Sequence, residues 1–170
     1  MNPFWIVRTG RLVMRPVSGA DLPALQALKA DPRVFAVMLG GVRSRCRTVE
    51  ELAEEIVFWG RCGVGIWAVR HRVSGVFLGI TGFMDRPDGL GIGLRFAFVA
   101  GAHGQGYASE AAGAALRFAH ERAGIARVVA VARADNLGSR QVLGSIGMRE
   151  CGGFDRAGVP MLVFESWTHG

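Results

Sequence analysis

The chain is short of several residues on which common functional designs depend. Its three cysteines, Cys46, Cys62 and Cys151, show no CxxC or CxxH spacing, which argues against a disulfide frame or a zinc site. Reduced thiols in a cytoplasmic protein, without metal, are the expectation. Lys29 is the only lysine among 20 basic residues, and Tyr107 is the only tyrosine. No apolar run approaches the roughly 18 residues needed to cross a bilayer. The opening MNPFWIVRTGRL lacks the basic region, apolar stretch and small-residue cleavage site of a secretory signal, so no leader is expected. Two nucleotide motifs are missing as well. From Gly101 to Gly106 the spacing fits a Walker A loop, but Tyr107-Ala108 stands where Lys-Ser or Lys-Thr must be. No G-x-G-x-x-G turn occurs, and no ribose-binding acid follows at the usual distance.

At 170 residues the chain is expected to form a single domain, residues 1–170, with a real core. Half its residues are apolar and a fifth charged, as in ordinary soluble proteins. The net charge of +6 has two readings. An arginine bias alongside abundant glycine and alanine reflects base composition, or it attracts a polyanionic ligand or acidic partner. The arginines are scattered and lack the exposed aromatics of single-strand readers, so no nucleic-acid partner is expected.

Residues 11–17 read as a first strand. Asp21 is placed to cap a helix over DLPALQALKA, and Asp31-Pro32 to open another short turn of helix. Thr48, with Glu51 three positions on, reads as a capping box for TVEELAEEIVFWG, whose apolar stripe is Leu52, Ile56 and Trp59. Three antiparallel strands follow, at 65–70, 76–84 and 91–99, with turns at 73–75 and 87–89. A helix over 107–122 ends at Gly124. A strand at 128–131, a helix over 137–146 with Gly147 as its C-cap, and a strand at 161–167 complete the chain. The pattern is α+β: a mixed, mostly antiparallel sheet with helices on both faces.

The segment His103-Gly104-Gln105-Gly106-Tyr107-Ala108-Ser109-Glu110-Ala111 joins a strand to a long amphipathic helix. A glycine-rich turn at a helix N-terminus presents backbone N–H groups and the positive end of the helix dipole, which makes an anion site. About thirty residues later come Asn136-Leu137-Gly138-Ser139, then Leu143 and Gly147-Met148.

In the order and spacing of these motifs, and in the opening GRLVMRPV before a capped helix, the chain resembles the GNAT superfamily of acetyl-CoA-dependent N-acetyltransferases. It is most similar to the branch that includes the ribosomal-protein N-terminal acetyltransferases. The resemblance covers nearly the whole chain. It implies that the backbone of Phe96, Ala97 and Phe98 pairs with the pantetheine arm and that the amides of Gly104, Gln105, Gly106, Tyr107, Ala108 and Ser109 hold the pyrophosphate. It also implies that His103, where the family has Gln or Arg, donates to phosphate, and that Asn136 reaches the cofactor's amide arm. The acceptor implied is a small-molecule amine or a protein N-terminus. No membrane partner is expected, and a homodimer is left open.

The catalytic groups depart from the family pattern. Ile92 stands where a carboxylate base is often found, and the strand 91–99 has no acid. Leu143 takes the place of the tyrosine that often protonates the leaving thiolate, so Ser139, as acid or orienting group, or an ordered water must serve, or the thiolate leaves unassisted. These gaps keep a second reading alive, a CoA-binding sensor or interaction module without transfer activity. Glu110 reads as a first-turn residue answering the helix dipole and not as a base. His120 reads as a helix C-terminal charge, the group Asp85, Arg86 and Asp88 as a solvated turn, and Trp59, Trp67 and Trp167 as core or groove wall. Arg43, Arg45 and Arg47 lie in the segment that borders the acceptor side in relatives.

Overall fold

The computed structural model describes residues 1–169. Eight strands form one sheet: β1 (Val7–Arg8), β2 (Leu12–Pro16), β3 (Ile66–His71), β4 (Phe77–Asp85), β5 (Ile92–Phe98), β6 (Arg127–Arg133), β7 (Arg149–Arg156) and β8 (Val159–Trp167). Their spatial order is β1-β2-β3-β4-β5-β6-β8-β7. Every neighbouring pair is antiparallel except β5 and β6, which run parallel. The helices are α1 (Leu22–Ala30), α2 (Pro32–Phe35), α3 (Arg45–Cys62), α4 (Tyr107–Arg117) and α5 (Leu137–Ser145). The α+β expectation is met, with a mixed and mostly antiparallel sheet.

The period-two alternation of the central strands divides the core between two faces. Trp67, Val69, Leu94 and Phe98 pack on the face covered by α4. Ile66, Ala68, Ile80 and Ala97 pack on the other, under Leu25 and Leu28 of α1, Val34 and Phe35 of α2 and Leu52 of α3. Trp59 and Trp67 are buried, with ring centres 4.8 Å apart in an edge-on arrangement. Each donates its indole N–H to a backbone carbonyl, of Ile66 and Trp5 respectively, at 2.7 Å. Trp167, read with them as core or wall, is instead exposed, with the Arg127 guanidinium over its ring.

Several local readings are corrected. Thr48 does not open α3. The helix begins one turn earlier, capped by Ser44, whose hydroxyl accepts the Arg47 N–H, and Thr48 is buried with its hydroxyl donating to the Ser44 carbonyl. Ile56 faces solvent, and Phe58 joins Leu52 and Trp59 in the core. Asp21 does not cap α1 through its side chain; its carboxylate accepts from the Ser18 N–H at 2.9 Å and from Arg70 at 3.0 Å. Asp31 does cap α2, accepting the Arg33 N–H. The helix expected over 107–122 is α-helical only to Arg117 and closes in a π-turn over Phe118–Arg122. There His120 donates from Nδ1 to the Ile125 carbonyl and meets the Ser166 hydroxyl with Nε2, fastening the helix end to β8.

Candidate active site

Because β5 and β6 are parallel, both end at the same side of the sheet, and the chain leaves each of them into a helix, α4 and α5. In open sheets the carboxyl ends of parallel strands are where ligands lodge. The pairing of β5 with β6 is confined to Gly93 and Val129, although the strands run on to Phe98 and Arg133. The ladder with β4 fixes which residues of β5 face that gap. Val99 donates to the Leu78 carbonyl, so in the alternating antiparallel pattern Ala97 and Arg95 also exchange hydrogen bonds with β4, opposite Ile80 and Gly82. The backbone groups of Phe96 and Phe98 point the other way, into the gap. Ala97, expected to share this role, turns its backbone to β4 and its side chain into the core against α1 and α3.

The Phe98 carbonyl has a partner inside the protein: His103 donates to it from Nε2 at 2.8 Å. A neutral His103 then has only a lone pair at Nδ1, so its ring can donate to an anion only when protonated. Among the described residues the β5–β6 ladder has no register pair beyond Gly93 and Val129, so β6 does not continue it along the N–H and C=O of Phe96 or the N–H of Phe98. Phe98 is buried, and a buried backbone group without a partner is costly enough that water or a ligand must meet it.

The turn that follows supplies the remaining donors. Gly106 occupies the N-cap of α4 in the left-handed region, φ +79°, and has no side chain with which to cap the helix. The first intrahelical bond runs from the Glu110 N–H to the Gly106 carbonyl. Among the described residues, the N–H groups of Gly106, Tyr107, Ala108 and Ser109 meet no acceptor. They form a positive helix terminus open to an anion. Side chains brace this turn and leave its amides free. Arg11 donates to the Gln105 carbonyl at 2.9 Å and lies over the Tyr107 ring, 4.4 Å from its centre. Gln105 donates to the Gly101 carbonyl, and the Ser109 hydroxyl meets that of Ser145 on α5 at 2.9 Å. Glu110 accepts from the Thr9 hydroxyl, the Arg11 N–H and the Arg11 guanidinium, at 2.6–2.9 Å. Burial disfavours its charge, but these donors outweigh that and hold its pKa below the usual carboxylate range. Glu110 is a brace, not a base.

At the end of β6, Asn136 caps α5 by accepting the Ser139 N–H at 3.1 Å. That bond uses the amide oxygen and leaves the NH₂ group free to donate. Among the described residues the Ser139 hydroxyl makes no hydrogen bond. The lone tyrosine is no candidate proton donor at the gap, since its ring packs against Arg11 and, edge-on, against His71.

Across the sheet, under α1 and α3, lies a charged cluster that the sequence did not announce. Lys29 is buried and donates to Glu51 at 2.8 Å and to Glu55 at 3.2 Å, and Arg43 donates to Glu51 at 2.7 Å. Burial raises the pKa of Glu55 in spite of Lys29, and its second carboxylate oxygen is buried without a partner among the described residues. Its signal in the sequence was a single lysine and a run of glutamates at helical spacing.

Comparison with known proteins agrees with this geometry. Residues 11–149 match the acetyltransferase (GNAT) domain family, so the chain belongs to the GNAT acetyltransferases and is an acyltransferase. Members of this family use acetyl-CoA as the acetyl source. Among solved structures, an acetyltransferase from Agrobacterium tumefaciens is 27% identical with a TM-score of 0.83, over 95% of this chain and 93% of that one. An acetyltransferase from Salmonella typhimurium that modifies the N-terminal serine of ribosomal protein L7/L12 shares the fold. It has 18% identity and a TM-score of 0.82, over 96% and 99% of the two chains. RimL, a ribosomal L7/L12 α-N-protein acetyltransferase solved in complex with coenzyme A, shares it too, at 19% identity and a TM-score of 0.80, over 96% and 98%.

Proposed function

We propose that this chain, as a single domain, transfers acetyl from acetyl-CoA to a primary amine by direct attack within a ternary complex. The observation that carries the reading is the row of unpartnered amides from Gly106 to Ser109 beside the unpaired edge of β5. The amides of residues 104–109 suit a pyrophosphate, and the backbone of Phe96 and Phe98 suits the amide-bearing pantetheine arm as a substitute strand. The free NH₂ of Asn136 is a further donor for that arm, and Ser139 carries an uncommitted hydroxyl near the same strand ends. A protonated His103 would add a donor at the head of the loop.

Direct attack is favoured over an acetyl-cysteine intermediate because Cys46, Cys62 and Cys151 are exposed, free thiols remote in sequence from this turn. Free thiols on the surface also suit a reducing, cytoplasmic setting.

The acceptor class follows from proton chemistry. Deprotonating a lysine, pKa about 10.4, costs roughly 4–5 kcal/mol at pH 7, whereas an α-amine near 7.7–8.0 costs about 1. A general base typically supplies about 10²–10⁴-fold. No residue of β5 is acidic, and Glu51 and Glu55 are turned to Lys29. An α-amine, on a protein N-terminus or a small molecule, therefore suits the site better than a lysine side chain. Two matched peptides at pH 7 test this, one with a free N-terminus and blocked lysine, the other the reverse. Faster acetylation of the free N-terminus is expected; faster acetylation of lysine would overturn the assignment.

A further inference from the structure

The face of the sheet under α1, α2 and α3 is rich in charge, but most of that charge is matched internally. Lys29 and Arg43 are set against Glu51 and Glu55. Arg47 lies along Glu50, Glu51 and Glu54 on its own helix, and Arg86 is paired with Asp88 at 2.6 Å. Two of the three arginines in the segment that borders the acceptor side in relatives, Arg43 and Arg47, are thereby neutralised within α3 and its approach.

Arg95 is different. It lies on β5 on the same side as Ala97, whose methyl packs with α1, α2 and α3, and it immediately precedes Phe96, whose backbone faces the gap. Its guanidinium has no hydrogen bond and no ion pair among the described residues. The side chain is exposed on the face of β5 that also carries Ala97. The next acids, Glu51 and Glu55, are already held by Lys29.

We propose that Arg95 is the acceptor's anchor, and that the acceptor carries a carboxylate or another anionic group close to its reacting amine. This rests on the acetyl-transfer reading above. A planar guanidinium offers five donors in a fork that matches a carboxylate. Its place one residue from Phe96 would hold such an acceptor beside the strand along which the thioester arm lies. Arg95 acts here in binding and orientation and takes no part in proton transfer.

The test uses acceptor pairs that differ only in charge. One pair is the tetrapeptide amides Ser-Asp-Asp-Ala and Ser-Asn-Asn-Ala; the other is the α-amides of glutamate and glutamine, which differ at the side chain alone. The wild-type protein should favour the acidic member of at least one pair by about 10- to 100-fold in kcat/KM, chiefly through KM, the usual worth of a charge-assisted hydrogen bond. Arg95→Gln should erase that preference and Arg95→Lys should restore part of it, all three proteins binding acetyl-CoA with equal affinity by calorimetry. Equal use of both members by the wild type, or a preference that survives Arg95→Gln, would overturn the inference while leaving acetyl transfer intact. A wild-type protein that binds no acetyl-CoA and acetylates neither member would overturn both.

Discussion

Glu110 sits in the first turn of α4, where a carboxylate answers the helix dipole, and its sequence position alone supports that reading. The structure adds two residues a hundred positions earlier, Thr9 and Arg11, which donate to it and lock the β1–β2 turn against the loop. Because its pKa is lowered in the folded protein, the stabilisation is present above the unfolded carboxylate value of about 4.3. It is lost as pH falls through the folded value. Glu110→Gln should therefore cost about 1–2 kcal/mol at pH 7 in urea unfolding. The gap from wild type should close below about pH 4, and a constant gap would refute the linkage. Gly106 was readable for the same local reason, since a glycine that opens a helix after a strand marks a left-handed cap. At φ +79° a branched side chain is strained by roughly 1–2 kcal/mol as well as obstructing the turn. Gly106→Val should abolish acetyl-CoA binding in calorimetry with a modest loss of stability, and wild-type affinity would mean that the anion site lies elsewhere. Arg95 and the Lys29–Glu55 pair were not readable, because their meaning depends on which residues other helices place across the sheet.

At the level of elements, legibility followed the reach of the interactions. The unit from β5 through the loop to α4, and the Asn136-capped α5, came through because turn chemistry and caps act within a few residues. The start of α3 did not. Thr48 and Glu51 imitate a capping box, but Glu51 is drawn away by Lys29 and Arg43, and Ser44 holds the true cap. Ser44→Ala should lower stability by about 1 kcal/mol, measured as a shift in urea midpoint, and no change would return the cap to Thr48. Strand β7 was missed because it lies at the sheet edge and alternates almost nothing; nearly all of its residues face solvent. The hairpin from β7 to β8 turns at Ala157-Gly158, both with positive φ, and an alanine there gives little warning of such a turn.

For the whole molecule, the organising feature is one parallel pair inside an otherwise antiparallel sheet. That pair brings the α4 turn and the start of α5 to the same sheet end and leaves β5 with an open edge. Fold class and family were legible from motif order, whereas the residues that α1, α2 and α3 bring against one face of the sheet came only from the packed structure. Direct acetyl transfer from acetyl-CoA to an amine, as proposed above, is followed by the release of thiol. The purified protein, mixed with acetyl-CoA, should release free CoA thiol at a rate that depends on added α-amine peptide. Initial velocities should give intersecting lines when both substrates are varied. A burst of thiol with acetyl held on the protein before any amine is added, or parallel lines, would contradict direct attack, and no amine-dependent release would contradict the transfer itself.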